Sequence, residues 1–265
     1  MSRKKVPTRE CKRCGTRFPE SRSQCPDCGA WCTDELFDET LDGTFTLDEV
    51  PEEAFQRIQT GPWDIAFCKE DPGIVTTSVT LLGGAPGAGK STMSIQLCDA
   101  IAGSTGKEVL YIGAEESKGE YANRAKRLKL KNTKLIRLYP MGSNADVGLI
   151  IMARKPSAIV IDSLPGLTKD PAVAKDICKT FCEYAKLLQS PVIIIDHVTK
   201  DGDLAGFMEL QHDVDIVLTL FPNADTEVRT LTVVKNRYAS ANHSIFLEMT
   251  GEGLKHFEFQ EDDDD

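Results

Sequence analysis

The stretch that decides the fold of this 265-residue chain is Gly84-Ala85-Pro86-Gly87-Ala88-Gly89-Lys90-Ser91. It fits the pattern Gly-x4-Gly-Lys-Ser/Thr, with an apolar β-rich run at residues 79–82 before it and a helical pattern after it. The glycines let backbone N–H groups curl around a phosphate, Lys90 can reach the β- and γ-phosphates, and the Ser91 hydroxyl can bind Mg²⁺. The alternative, a glycine-rich turn that binds nothing, does not explain the flanking strand and helix. Residues 84–92, ending at Thr92, are therefore predicted to bind ATP with Mg²⁺.

Composition and charge narrow the class of protein. The net charge is −10 and 41% of residues are hydrophobic, with no apolar run of eighteen residues, so we expect no membrane span. The basic N-terminus lacks the apolar segment of a secretory signal, so we expect a cytoplasmic protein. Acidic residues dominate residues 34–55, which we interpret as a linker, and residues 261–265, an acidic tail that is either solubilising or a docking element.

Four of the nine cysteines have the spacing of a metal site. Cys11 and Cys14 form one C-x2-C pair, and Cys25 and Cys28 form a second. Two such pairs predict a closed, tetrahedral Zn²⁺ site that holds residues 1–33 together as a small element. A redox C-x2-C is the alternative, but no βαβ pattern surrounds these pairs. Cys178 and Cys182 lie on a helical pattern and are predicted to be buried thiols.

Residues 56–260 are predicted to form an α/β core. Apolar runs at residues 108–112, 135–138, 158–161 and 192–195 alternate with helical patterns. Such runs are typical of strands buried on both faces of a mostly parallel sheet. Residues 216–220, 229–234, 244–249 and 254–259 favour strands with short turns, which predicts antiparallel strands added at one edge of the sheet.

ATP hydrolysis needs a second acid near Mg²⁺ and a group that orients water. Asp162 follows the strand at residues 158–161, at a carboxyl end where open α/β sheets bind ligands, and is predicted to hold Mg²⁺; a helix cap is the alternative. Glu115 and Glu116 follow the strand at residues 108–112. We predict that Glu115 activates water and keep Glu116 as the alternative.

Three further residues have more than one interpretation. His197 follows the strand at residues 192–195, where it either senses the γ-phosphate or is a bystander. Lys235 and Arg237 close the strand at residues 229–234. Two cations in this spacing suit an anion, including ATP on a neighbouring subunit, but the spacing alone favours a solvated basic strand end.

The order of these pieces resembles the bacterial DNA repair protein RadA (Sms) family. The resemblance spans about residues 11–259. It rests on the four-cysteine element ending Cys-Gly-Ala-Trp at residues 28–31, the nucleotide-binding loop, Glu-Glu-Ser at 115–117, His-Val-Thr-Lys at 197–200 and Lys-Asn-Arg-Tyr at 235–238. Departures from the family pattern accompany this resemblance. The family's C-terminal Lon-protease-like domain has no counterpart here, and Ala239 stands where the family has Gly.

The resemblance implies a RecA-like P-loop ATPase core that assembles as a ring, hexameric in the family, and runs on single-stranded DNA in recombination, repair or replication. It also implies that Lys235 and Arg237 reach the ATP of the adjacent subunit and that His197 senses the γ-phosphate. Lys200 and a loop at residues 164–175, with Lys169 and Lys175, would face DNA, and recombinase or replisome proteins would be partners. A phage replicative helicase of the same superfamily and a KaiC-like signalling ATPase that moves no DNA are the alternatives.

Overall fold

The computed structural model describes residues 8–11, 13–19, 22, 24–29, 48, 54–113, 115–140, 146–197, 204–224 and 226–257, except for the side chains of residues 204–208. Most of the predicted acidic linker, the acidic tail, Trp31 and Lys200 lie outside these residues. Internal contacts divide the chain into two units, Met1–Ala54 and Phe55–Asp265.

The first unit contains a small antiparallel hairpin. Strand β1 (Thr8–Glu10) pairs with β2 (Arg17–Pro19). Phe18 is buried against Cys11 and Cys25, which is little apolar surface for a unit of this size. The described part of this unit therefore has a core too small to stabilise it without cross-links or metal.

The second unit alternates strands and helices as the sequence predicts. Its strands are β3 (Arg57–Ile58), β4 (Ile74–Val75), β5 (Val79–Gly84), β6 (Val109–Gly113), β7 (Ile136–Pro140), β8 (Ala158–Asp162), β9 (Val192–Ile195), β10 (Ile216–Pro222), β11 (Val228–Asn236), β12 (His243–Thr250) and β13 (Gly253–His256). Its helices are α1 (Asp64–Phe67), α2 (Lys90–Thr105), α3 (Lys118–Arg127), α4 (Val147–Arg154), α5 (Leu164–Leu167), α6 (Pro171–Leu188) and α7 (Leu204–Asp213).

Nine of these strands form one sheet in the order β13-β12-β11-β10-β5-β9-β8-β6-β7. The six from β10 to β7 are parallel, and β11, β12 and β13 add antiparallel pairs at the other side. Alternate residues of the central strands pack into two cores: Tyr111 and Val160 face the core that contains α2, whereas Ile112 and Ile161 face the one that contains α6. The predicted α/β class, the mostly parallel sheet and the antiparallel C-terminal strands are confirmed.

One sequence expectation about the second unit needs correction, and one element was not predicted. Residues 164–175 are not one loop, because α5 and the start of α6 occupy most of the segment and place Lys175 on a helix. The signal was local: Asp170 caps α6 by accepting from two backbone N–H groups, and Pro171 is its first residue. The short hairpin of β3 and β4 was not predicted, because its two-residue strands are too short to show a periodic pattern.

Cys178 is fully buried on α6, as predicted, and burial raises the pKa of its thiol to about 12. Cys182 was predicted to be buried as well, but it is only half-buried. Across the described ranges, no helix is both long and apolar enough to span a bilayer.

Gly84 is a point where the fold tolerates no side chain. Its φ is +148°, and a Cβ atom there would lie 2.1 Å from the carbonyl oxygen of Leu220 on β10. We expect Gly84→Ala to lower the free energy of unfolding by at least about 2 kcal/mol, because both the backbone conformation and the β5–β10 pairing must change. Gly119→Ala on α3 is the matched control, since the nearest atom to its Cβ would be 3.9 Å away. Urea unfolding of both variants measures the difference, and equal midpoints would contradict the close approach.

Candidate ATP site

The nucleotide-binding loop connects β5 to α2 at the carboxyl edge of the parallel strands. Gly84, Gly87 and Gly89 have positive φ values of +148°, +75° and +108°, which side chains disfavour. Nothing lies within 4 Å of a Cβ atom built on Gly87, whereas one on Gly89 would be 2.6 Å from Met249. The loop is therefore open on one side and packed against β12 on another, and it has the form of a phosphate cradle at a helix N-terminus.

Lys90 is the first residue of α2 and is buried over this loop. Its Nζ donates to the carbonyl oxygens of Gly84 at 2.7 Å and Ala85 at 3.0 Å. Burial lowers the pKa of Lys90, and the carboxylates of Asp162, Asp196 and Glu115 act in the opposite direction. The ammonium group thus lies where a terminal phosphate of a bound nucleotide could replace the two carbonyl contacts.

Asp162 ends β8 and is 4% exposed. Its Oδ2 accepts a hydrogen bond from the hydroxyl of Tyr111 on β6, the strand next to β8. Burial, followed by the charge of Asp162, raises the pKa of Tyr111, so the phenol keeps its proton and acts as the donor. Asp162 acts electrostatically on Lys90. Its carboxylate and the Ser91 hydroxyl offer oxygen atoms, the kind of ligand that Mg²⁺ prefers.

Glu115 and Glu116 point to different partners. Glu115 accepts a hydrogen bond from the Ser163 hydroxyl, and its Oε1 lies 3.3 Å from Nε2 of His197. Glu116 instead forms an ion pair with Arg124 on α3. The side chain of Glu115 is 48% exposed, so water can reach it. The structure thus brings Glu115, Ser163 and His197 together beyond the ends of β6, β8 and β9 and leaves Glu116 outside this group.

Lys235 and Arg237 are not part of this group. Lys235 Nζ donates to the carbonyl oxygens of Gln211 at 2.6 Å and Val214 at 2.7 Å, and Arg237 donates to Asp215 at 2.9 Å. Backbone hydrogen bonds place Arg237 beside Asp215, and Asp215 beside Val79 at the start of β5. Val79 is five residues before Gly84, so Arg237 lies about 17 Å from the nucleotide-binding loop along the strand direction. Both cations therefore lie towards the opposite edge of the sheet from the nucleotide-binding loop of their own chain.

The four cysteines of the first unit come together as their spacing predicts. Their Sγ atoms all lie within 4.8 Å of one another, with Cys11 to Cys28 at 3.6 Å and Cys14 to Cys25 at 3.5 Å. These distances are far too long for disulfides and close to the ~3.8 Å expected between thiolates around one tetrahedral Zn²⁺. Backbone N–H groups of Arg13 and Cys14 lower the pKa of Cys11 to about 6, which favours the thiolate that a metal needs. The donor set therefore fits Zn²⁺.

Sequence reasoning missed three residues at the ATP site. Tyr111 lies inside an apolar strand, where it is indistinguishable from a core aromatic residue. Ser163 follows Asp162 directly, and its position beside a predicted ligand was the available signal. Asp196 precedes His197 and is 8% exposed; burial raises its pKa, and its Oδ1 accepts the backbone N–H of His197 at 2.8 Å.

The DNA-facing residues expected from the resemblance are only partly described. Lys169 lies between α5 and α6, and Lys175 lies on α6. Residues 198–200, which include the third expected cation, are outside the described ranges.

This chain is similar in sequence to bacterial proteins named DNA repair protein RadA. It is 33% identical over 265 residues to the DNA repair protein RadA of Chlamydia pneumoniae, covering 92% of this chain and 57% of that protein. It is 34% identical to RadA of Pseudomonas aeruginosa and 33% identical to RadA of Bacillus subtilis, covering 92% of this chain and 58% of each relative. The chain thus spans a little under three fifths of the length of these relatives.

Comparison of structures and of family patterns agrees with this similarity. A KaiC-like protein of Pyrococcus horikoshii superposes with a TM-score of 0.63 at 16% identity, covering 77% of this chain and all of that one, which shows a shared fold. A family model for an AAA domain matches residues 71–203, from the turn before β4 through the end of β9 and beyond it. The chain therefore belongs to the AAA domain family, as a RadA-like P-loop ATPase with a RecA-like core.

Proposed function

We propose that this protein hydrolyses ATP at subunit interfaces and uses the energy to move along single-stranded DNA in recombination, repair or replication. The observation that supports it most is the convergence of Lys90, Asp162 and Glu115 at the carboxyl edge of one parallel sheet. The RadA name of the relatives supports the DNA-directed part of the proposal.

In the proposed reaction, the loop at residues 84–92 binds the phosphates and Lys90 contacts the β- and γ-phosphates. Mg²⁺, when bound, offsets the negative charge of those phosphates; the Ser91 hydroxyl would hold it directly and Asp162 through water. Glu115 accepts a proton from the attacking water as the water oxygen bonds to the γ-phosphorus, and the bond from that phosphorus to the β,γ-bridging oxygen breaks. Ser163 and His197 orient Glu115 through the contacts described above.

Activity assays with and without single-stranded DNA test this proposal directly. We expect wild-type turnover to rise several-fold with DNA and Glu115→Gln to lose about 10²–10⁴-fold while still binding nucleotide, because the amide cannot take a proton. Glu116→Gln is the comparison, since Glu116 pairs with Arg124, and we expect its turnover to stay within about threefold of wild type. Turnover indifferent to DNA would contradict the motor, and a larger loss in Glu116→Gln would reassign the base.

The position of Arg237 supports a role towards a second copy of the chain. Arg237 is 53% exposed and lies about 17 Å along the sheet from its own loop, so it is poorly placed for the ATP bound there. In a head-to-tail ring the same residue could reach the ATP of the neighbouring subunit, with Lys235 beside it.

Mixing two inactive variants tests the role of Arg237. Arg237→Ala and Glu115→Gln should each be inactive alone. An equal mixture should regain about a quarter of wild-type turnover if subunits assort randomly, because a quarter of interfaces then combine an intact Glu115 with an intact Arg237. Arg154→Ala, which removes a similarly exposed ion pair with Glu108, is the control and should stay active. A mixture with no more activity than its components would remove the assignment in trans.

We further propose that Cys11, Cys14, Cys25 and Cys28 bind one structural Zn²⁺. The thiolate distances and the small core of the first unit support this. The element is then available as a rigid surface for DNA or protein partners.

Metal analysis of the full chain tests the zinc site. We expect one zinc per chain in the wild type and less than about a tenth of that in Cys11→Ser/Cys25→Ser, because a pair of thiolates cannot retain the ion as four do. Cys182→Ser is the matched control, since that thiol donates to a backbone carbonyl on the ATPase core. Zinc retained in the double variant, or lost in the control, would contradict the assignment.

A further inference from the structure

A line of buried hydroxyls connects the two residues proposed to hold Mg²⁺. Ser94 Oγ lies 3.2 Å from the carbonyl oxygen of Ser91 and 3.1 Å from the hydroxyl of Tyr111, which in turn donates to Oδ2 of Asp162. Ser94 and Tyr111 are 0% and 1% exposed, so bulk water does not compete for these contacts. These hydrogen bonds therefore connect the backbone of α2 to the end of β8.

The direction of the hydrogen bond between Tyr111 and Asp162 is determined by the charge of the carboxylate. An ionised carboxylate can only accept, so the single proton of Tyr111 points to Asp162. The Ser94 hydroxyl has one proton, which it donates either to the Tyr111 oxygen or to the Ser91 carbonyl oxygen. Oδ2 of Asp162 accepts the hydrogen bond of the phenol, whereas Oδ1 accepts none from the described residues. Oδ1 is therefore the less engaged oxygen.

We propose that Tyr111 is a positioning residue for the Mg²⁺ site, and that its hydroxyl fixes which oxygen of Asp162 is presented to the ion. This inference rests on the proposed ATPase function. Removal of a residue that hydrogen-bonds to a metal ligand and orients it usually lowers metal affinity by about 10–100-fold. Tyr111 would act through Asp162, without touching the nucleotide.

The chain contains a matched control for this hydroxyl. Tyr121 packs edge-on against Tyr111 with ring centroids 5.4 Å apart and is 4% exposed. Its hydroxyl has no hydrogen-bond partner among the described residues. Tyr121→Phe therefore removes a neighbouring buried phenol oxygen of the same kind without altering the contact to Asp162.

The experiment titrates Mg²⁺ into the full chain with a fluorescent, non-hydrolysable ATP analogue. For Tyr111→Phe we expect the Mg²⁺ concentration at half-maximal binding to rise about tenfold, while affinity for the analogue in EDTA stays within about twofold of wild type. Tyr121→Phe should match wild type in both. Asp162→Ala should also raise the requirement, and adding Tyr111→Phe to it should cause no further rise, because the two residues act through one contact.

Each other outcome has a definite meaning. Identical Mg²⁺ curves for Tyr111→Phe and Tyr121→Phe would overturn the inference. It would also be overturned if Tyr111→Phe lost as much affinity for the analogue in EDTA as in Mg²⁺, because that result indicates a damaged nucleotide-binding loop. If Tyr111→Phe does not fold, as judged by thermal melting, Ser94→Ala takes its place. That variant should raise the Mg²⁺ requirement about two- to threefold, and an unchanged curve in the folded variant would overturn the inference. A wild-type chain that binds no analogue at all would instead contradict the proposed function.

Discussion

The parallel direction of β5, β6, β8 and β9 is the constraint on which the candidate ATP site depends. Parallel strands carry their carboxyl ends to one edge of a sheet, and each of these four strands is followed there by a polar residue or the phosphate cradle. Gly113 pairs with Asp162 across β6 and β8, so residues separated by dozens of positions in sequence become neighbours. A shift in the register of β6 against β8 would separate Glu115 from Ser163.

The strands and the nucleotide-binding loop at the carboxyl edge of the sheet were predictable, because each is specified by a short, continuous stretch of sequence. The runs at residues 79–82, 158–161 and 192–195 are apolar on both faces, which is typical of central parallel strands, and all of them are buried. The nucleotide-binding loop is specified by glycines whose positive φ values the structure shows directly. The cysteine pairs are equally local, because each C-x2-C turn places two thiols together before any tertiary contact forms.

Contacts that depend on strand order could not be read from local sequence. Tyr111 meets Asp162 only because β6 lies beside β8, and nothing near either residue specifies that neighbour. Arg57 shows the same limit, since its guanidinium donates to the carbonyl oxygen of Tyr238, 181 positions away. The divergence of Glu115 and Glu116 is an intermediate case, because the ion pair of Glu116 with Arg124 spans eight residues of one turn and helix.

The charge balance of the candidate site bears on the proposed contribution of a neighbouring subunit. The carboxylates of Asp162, Asp196 and Glu115 all act on Lys90, so one cation faces three acids before any triphosphate arrives. The triphosphate adds more negative charge, and in a partly buried site such repulsion is weakly screened. Mg²⁺ offsets part of it. Arg124 is already paired with Glu116, and Arg237 lies towards the far edge of the sheet, which is consistent with the proposal that a neighbouring subunit supplies further positive charge. This imbalance supports the proposal that hydrolysis depends on assembly.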